Sequence, residues 1–147
     1  MVLKINMEIF MQLSNSSQYA IRILSYMALK QETTLLNAKY LADVLQIPYK
    51  YLTKIMTEVV KSGLVVSIRG REGGYKFIKP TSEIIISEIL DIFNDSIASK
   101  NCVLGIGFCN GICKCALHDQ WMEPKILMQK MFEESSLEDI AKNGCKH

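Results

Sequence analysis

Between Asn37 and Pro80 the hydrophobic period changes once, from helical to alternating, and this order of elements limits the folds open to the chain. Asn37 is placed to cap a helix with the apolar stripe Ala38, Leu41, Ala42 and Leu45. That helix ends near Ile47, and only a very short turn separates it from the next. Pro48 suits the first turn of the following helix, where a missing N–H has no intrahelical partner to lose. Leu52, Ile55, Met56 and Val59 form its buried stripe, and Gly63 sits just past its end, where left-handed backbone is cheap. The β-branched run Leu64–Ile68, the turn Arg69-Gly70-Arg71-Glu72-Gly73-Gly74 and the segment Tyr75–Ile78 then predict a β-hairpin closed by Pro80. Helix, tight turn, helix and hairpin is the order of a winged helix-turn-helix, which implies binding to double-stranded DNA.

The second helix of that pair divides its faces accordingly. With the apolar stripe turned inward, Tyr49, Lys50, Thr53, Lys54 and Thr57 lie on the opposite face. Short polar and cationic side chains near a helix N-terminus can reach base edges and phosphates in the major groove. The hairpin tip offers Arg69 and Arg71, and its glycines allow close approach of backbone. Arginine suits a narrow A·T-rich minor groove, where negative potential is concentrated. The competing reading is a small helical domain with a charged face and an incidental hairpin.

The hairpin directly after the second helix of the pair weighs against that reading. Charge becomes informative only when it is divided along the chain, and by itself it leaves a solvated mixed surface equally open. The net charge is only +2, but residues 37–80 hold eight basic side chains against three acids (Asp43, Glu58 and Glu72), a net of +5. The remaining residues have nine basic and twelve acidic groups, a net of −3. A positive field on one part of the molecule is what a polyanion-binding surface requires.

Elsewhere the pattern is helical. Ser14–Ser17 supplies N-cap side chains for a first helix of about 17–30, with Ala20, Ile23, Leu24, Met27 and Ala28 at helical spacing. Ile86, Ile89, Leu90 and Phe93 mark another helix. A long helix over about 119–134 carries Trp121, Met128 and Met131 on one stripe, with Pro124 tolerable only in its first turn. A short SSLEDIAKN segment follows, with Ser136 as its cap. The fold class is mainly α with a small β-wing. No apolar run approaches the roughly 20 residues of a membrane span, and the first ten residues lack the features of a signal peptide, so the expected compartment is the cytoplasm. Neither a nucleotide-binding glycine fingerprint nor a catalytic triad nor a paired-carboxylate motif is present, so neither an enzyme nor a small-molecule substrate is expected.

Four of the five cysteines fall in the pattern Cys102-x6-Cys109-x3-Cys113-x-Cys115-x2-His118. In a cytoplasmic protein such crowding points to metal or redox chemistry and not to disulfides. Thiolates and imidazole suit an iron–sulfur cluster or zinc, and spacing does not separate these, with unligated redox thiols a third reading. Gly105, Gly107 and Gly111 let the backbone fold around a compact centre. His118 is as consistent with a packed histidine as with a ligand. Cys145, in a polar tail, reads as an incidental thiol.

From Met11 onwards the chain resembles the IscR/NsrR family of bacterial regulators, the Rrf-two family. The markers are Met11–Ser14 with Tyr19–Leu24, the helix pair YLADVLQIPYKYLTKIM, the wing SIRGREGGYKF, and a cysteine loop ending CALHDQW. The resemblance implies a winged helix-turn-helix domain at 11–95, a cluster-binding loop at 96–118, and a dimerisation helix with C-terminal tail at 119–147. It further implies a homodimer joined through Trp121, Met128 and Met131, a two-fold-related operator, and transcriptional control, most simply repression, by a bound cluster. A small iron–sulfur electron carrier is the contrasting class, but a carrier has no use for a basic helix and wing.

By resemblance the cluster ligands are Cys102, Cys109 and Cys115, with His118 completing a 2Fe–2S set in preference to 4Fe–4S, and with zinc as the alternative metal. The DNA-contacting positions correspond to Lys50, Thr53, Lys54 and Arg69. Two departures stand out. Cys113 is an additional thiol that can replace His118, and Gln18 stands where one branch of the family has an aspartate ligand, so that ligand is missing. Residues 1–10 precede the family's usual start, with Met7 and Met11 as possible true starts.

Overall fold

Ser14 begins the first helix by accepting a hydrogen bond from the Ser17 amide through its hydroxyl (3.3 Å). In the computed structural model, which describes residues 13–30, 35–95 and 116–143, helix α1 runs Asn15–Leu29. It starts two residues ahead of the expected position because Ser14, the earliest of the serines, is the cap. Ala20, Ile23, Leu24 and Met27 are buried along one stripe, as their spacing predicts.

Asn37 Oδ1 accepts from the Tyr40 amide at 2.8 Å and opens α2, Ala38–Leu45. Gln46 then adopts a left-handed conformation (φ 55°), which turns the chain sharply into α3, Tyr49–Lys61. Pro48 stands at the cap one residue ahead of α3, its carbonyl accepting from Leu52 at 2.9 Å. Arg22 on α1 donates to the Leu45 carbonyl at 2.7 Å, satisfying one of the acceptors that the end of α2 leaves free. One guanidinium thus braces the tight turn from behind. Leu52, Ile55, Met56 and Val59 are all buried on α3, and Gly63 takes a φ of 86° just beyond it.

Strands β1, Val65–Ile68, and β2, Gly74–Phe77, pair antiparallel from Val65↔Phe77 to Ile68↔Gly74. The second strand therefore sits one residue earlier than the sequence suggests. The cause is the hairpin register, in which Ile68 pairs with Gly74; on the same strand the Tyr75 amide donates to the Leu36 carbonyl at 2.9 Å. The segment leading into α2 is thereby stitched to the hairpin, and wing and helix pair become one body.

A 3-10 turn, Thr81–Glu83, leads to α4, Ile86–Ile92; later come α5, His118–Glu134, and α6, Leu137–Asn143. Pro124 is the seventh residue of α5 and so lies in its second turn, not the first. Its ring nitrogen cannot donate to the Gln120 carbonyl, and the helix continues without that bond. The start of α6 then pairs back with the segment that leads into α4. Ile86 donates to the Ser135 carbonyl at 2.9 Å, and Leu137 donates to the Ile84 carbonyl at 2.7 Å. Ser136 and Asp139 form a reciprocal cap, each side chain accepting from the other's amide at 3.1 Å. Leu137 is completely buried with Ile84, Ile89 and Leu90. Such burial contributes about 1.5–3 kcal/mol for one leucine, enough to hold a seven-residue helix that would not persist alone. No helix among the described residues is long and apolar enough to cross a membrane.

Candidate DNA interface and a buried histidine

The tight turn at Gln46–Pro48 projects the first half of α3 from the core. Tyr49, Lys50, Lys54 and Thr57 are exposed there, and Thr53 is half-buried. The Thr53 hydroxyl donates to the Lys50 carbonyl at 3.0 Å, and the Thr57 hydroxyl donates to the Thr53 carbonyl at 2.7 Å. With each hydroxyl hydrogen engaged by the helix, both threonines present an acceptor oxygen and a methyl group. A base donor or a thymine methyl matches that chemistry.

Ion pairing shows which cations are available. Lys61 at the far end of α3 pairs with Glu58 at 3.0 Å, and Lys79 pairs with Glu88 at 2.9 Å. Among the described residues Lys50, Lys54, Arg69 and Arg71 have no carboxylate partner. The unneutralised charge therefore collects on the N-terminal half of α3 and on the hairpin tip, where Arg69 and Arg71 are exposed. Lys39 at the start of α2 and Lys76 on β2 are also exposed and have no carboxylate partner among the described residues. Sequence reasoning counted both in the charge balance but had no periodic signal to single them out.

The wing's glycines have internal duties. Gly70 needs a φ of 125°, a conformation that residues with a Cβ rarely adopt. A Cβ on Gly73 would collide with the Ile68 carbonyl oxygen, and one on Gly74 would lie 2.7 Å from the Leu36 carbonyl carbon and oxygen. The sequence reading assigned this glycine run to approach by a ligand; for Gly73 and Gly74 the close neighbour is the protein's own backbone. Tyr75, next along, is half-buried between wing and helix pair, and burial raises its phenol above the usual tyrosine range, with nearby Tyr49 adding to the effect.

His118 is the first residue of α5 and only 8% exposed. Its Nδ1 is buried and has no hydrogen-bond partner among the described residues. A buried imidazole nitrogen without a partner is costly unless something else satisfies it. Cys102, Cys109, Cys113, Cys115 and Cys145 lie outside the described residues, and no cluster of three His, Cys, Asp or Glu suited to a metal occurs among those described. Further along α5, Trp121 and Met128 are half-buried, while Met131, Ile126 and Leu127 are more than half exposed. Ile126 and Leu127 are additional apolar residues that the stripe Trp121, Met128 and Met131 did not include.

The family model described as Rrf2, iron-dependent transcriptional regulator, matches residues 13–143, through wing, helix pair, α5 and α6 together. The chain belongs to the Rrf2 family. Like its relatives, this Rrf2 protein is a transcriptional regulator and not an enzyme, and regulators of the family act by binding DNA. It is 37% identical over 134 residues to the HTH-type transcriptional regulator NsrR of Oceanobacillus iheyensis, covering 90% of this chain and 91% of the relative. It is 28% identical over 133 residues to the regulator IscR of Klebsiella pneumoniae, covering 90% and 81%. Among solved structures it shares its fold with CymR, described as the global cysteine regulator of B. subtilis, at a TM-score of 0.78 and 21% identity over 92% of this chain and 99% of that one. T. potens IscR superposes at a TM-score of 0.71 and 18% identity, covering 92% and 89%. These two likenesses confirm the mainly helical winged-helix architecture of the Rrf2 protein.

Proposed function

We propose that this chain is a homodimeric repressor whose operator affinity is set by an iron–sulfur cluster reporting iron–sulfur, oxidative or nitrosative status. The observation that carries the sensing half is His118, a buried imidazole three residues after Cys115 with one nitrogen unpartnered among the described residues. That donor fits the group: neutral imidazole and thiolates are the ligand types such clusters take. Cys102, Cys109 and Cys115 would hold it with His118, or with Cys113 in place of the histidine. A bound cluster supplies iron that changes oxidation state and reacts with oxidants and nitric oxide.

On the DNA side, Tyr49, Lys50, Thr53 and Lys54 would enter the major groove while Arg69 and Arg71 reach the minor groove. The exposed apolar residues of α5, including Met131, Ile126 and Leu127, support its use as the dimer seam with Trp121 and Met128. In sequence the cysteine segment joins α4 of the winged-helix body to α5. Its rearrangement would therefore change the separation of two recognition helices, and half-sites about one helical turn apart tolerate little error. Unequal operator affinity of the two states constitutes the switch.

Anaerobic purification followed by iron and sulfide analysis, absorbance spectroscopy, and titration with duplexes selected from a random pool tests the proposal. Coloured protein with acid-labile sulfide and unequal affinities of loaded and metal-free forms is the expected outcome. Colourless protein with stoichiometric zinc would overturn the cluster, and equal affinities would overturn the switch.

A further inference from the structure

Asp95 is the last residue before the cysteine-bearing segment, and its side chain does not face solvent freely. Oδ2 accepts a hydrogen bond from the Ser14 amide at 2.8 Å, across 81 positions of sequence. Ser14 is the N-cap of α1, its hydroxyl holding the Ser17 amide, and Ser17 is completely buried. Two residues on, in the same first turn, the Ser16 and Tyr51 hydroxyls share a hydrogen bond at 3.2 Å, and one turn later the Tyr19 ring meets that of Tyr51 edge to face at 5.2 Å, so α1 grips the recognition helix. Tyr51 lies on α3 directly beside Lys50 and three residues before Lys54. An unbroken line of named contacts therefore runs from Asp95 through the first turn of α1 to the exposed face of α3.

We propose that Asp95 is a positioning residue: its carboxylate clamps the first turn of α1 against α3 and passes the state of the segment beginning at the next residue to the DNA-facing side chains. The clamp stands on the geometry alone, whereas its role in passing on the state of that segment rests on the sensor reading above. The physical basis is directional. A carboxylate accepting from a cap residue's backbone is a charge-assisted bond, stronger than a neutral one, and it adds negative charge at the positive end of the α1 dipole. Freeing it loosens the cap, and the loosened turn carries Ser16, the residue bonded to Tyr51. Unlike an incidental surface carboxylate, Asp95 is coupled to a second hydrogen bond on another helix, and this coupling is measurable.

The test is a double-mutant cycle in operator affinity on the metal-free, full-length protein, using Asp95→Ala and Ser16→Ala, neither of which alters the recognition helix. Each single change is expected to weaken binding about threefold to tenfold, the range for one lost hydrogen bond. The double variant should be no weaker than the worse single one, because both changes disconnect the same turn. Asp95→Asn, whose neutral amide oxygen can still accept from Ser14, should recover part of the loss, which also guards against a variant that merely folds poorly. Independent effects in the double variant, or no recovery with asparagine, would overturn the clamp. For the relay, the ratio of loaded to metal-free affinity is compared in wild type and Asp95→Ala. A ratio that falls toward one in the variant supports the relay, and an unchanged ratio overturns it. A wild-type ratio already at one defeats the sensor reading and the relay together, and leaves the clamp to be judged by the cycle.

Discussion

Replacing Gly74 with alanine would place a methyl carbon 2.7 Å from the carbonyl carbon and oxygen of Leu36 and 2.9 Å from its nitrogen. Reaching ordinary van der Waals distance requires β2 and residue 36 to part by about 0.7 Å. The bond from the Tyr75 amide to the Leu36 carbonyl, now 2.9 Å, would then stretch to about 3.6 Å, beyond useful hydrogen-bonding range. Losing that bond costs about 1 kcal/mol, and the residual overpacking about 1–3 kcal/mol. Alanine restricts the unfolded chain and returns up to about 1 kcal/mol. The expected net loss is about 1–4 kcal/mol, a Tm lower by roughly 3–12 °C for a chain of this size. Thermal denaturation at matched protein concentration measures it, matching being necessary wherever association stabilises the native state. Operator affinity should fall in parallel, since the wing would no longer be held to the helix pair. The colliding atoms are Leu36 backbone, so Leu36→Gly should not rescue the variant. A stability within about 0.5 kcal/mol of wild type, or rescue by Leu36→Gly, would refute the reasoning.

Lys50→Ala and Lys54→Ala should each weaken binding to all duplex sequences alike and lower the salt dependence of log affinity by about one unit, read from titrations at several salt concentrations. His118→Ala should change the absorbance spectrum of the loaded protein while Cys113→Ala leaves it intact; the reverse pattern would make Cys113 the fourth ligand. Leu137→Ala, at a fully buried position, should cost about 2–5 kcal/mol in denaturant unfolding, and a loss too small to measure would mean that α6 is not part of the domain core. Burial acts to raise the Asp95 carboxyl, but hydrogen bonds from the Ser14 and Ser17 hydroxyls and the Ser14 amide outweigh it and hold the group below its ordinary value. Its contribution to stability is therefore complete above the unfolded value and is lost as pH falls through the folded one. Asp95→Ala should consequently flatten the decline in stability below about pH 4, followed by denaturant midpoints across an acid series.

What was legible in the residues was whatever depends on near neighbours in the chain. Asn37, Gly63 and the stripe Leu52, Ile55, Met56 and Val59 act within one or two helical turns, and each took its expected place. The charge imbalance of residues 37–80 was likewise visible as a count. Such counts did not reveal which lysines were already neutralised, because Lys79 meets Glu88 only through folding. Pro124 was misjudged for a related reason. Local propensity confines proline to a first turn, but α5 begins at His118 and continues past the missing bond.

The sequence by itself determined the winged helix-turn-helix order, the exposed polar face of α3, and the cysteine spacing, since all three are periodicities or adjacencies along one chain. Tertiary structure alone decided the bridge partner Leu36, the return of Leu137 to the core, the burial of the His118 nitrogen, and the hold of Asp95 on Ser14. Each of these joins residues far apart in sequence, or depends on what surrounds a group in space. Hydrophobic period reports which face is buried, not what it is buried against.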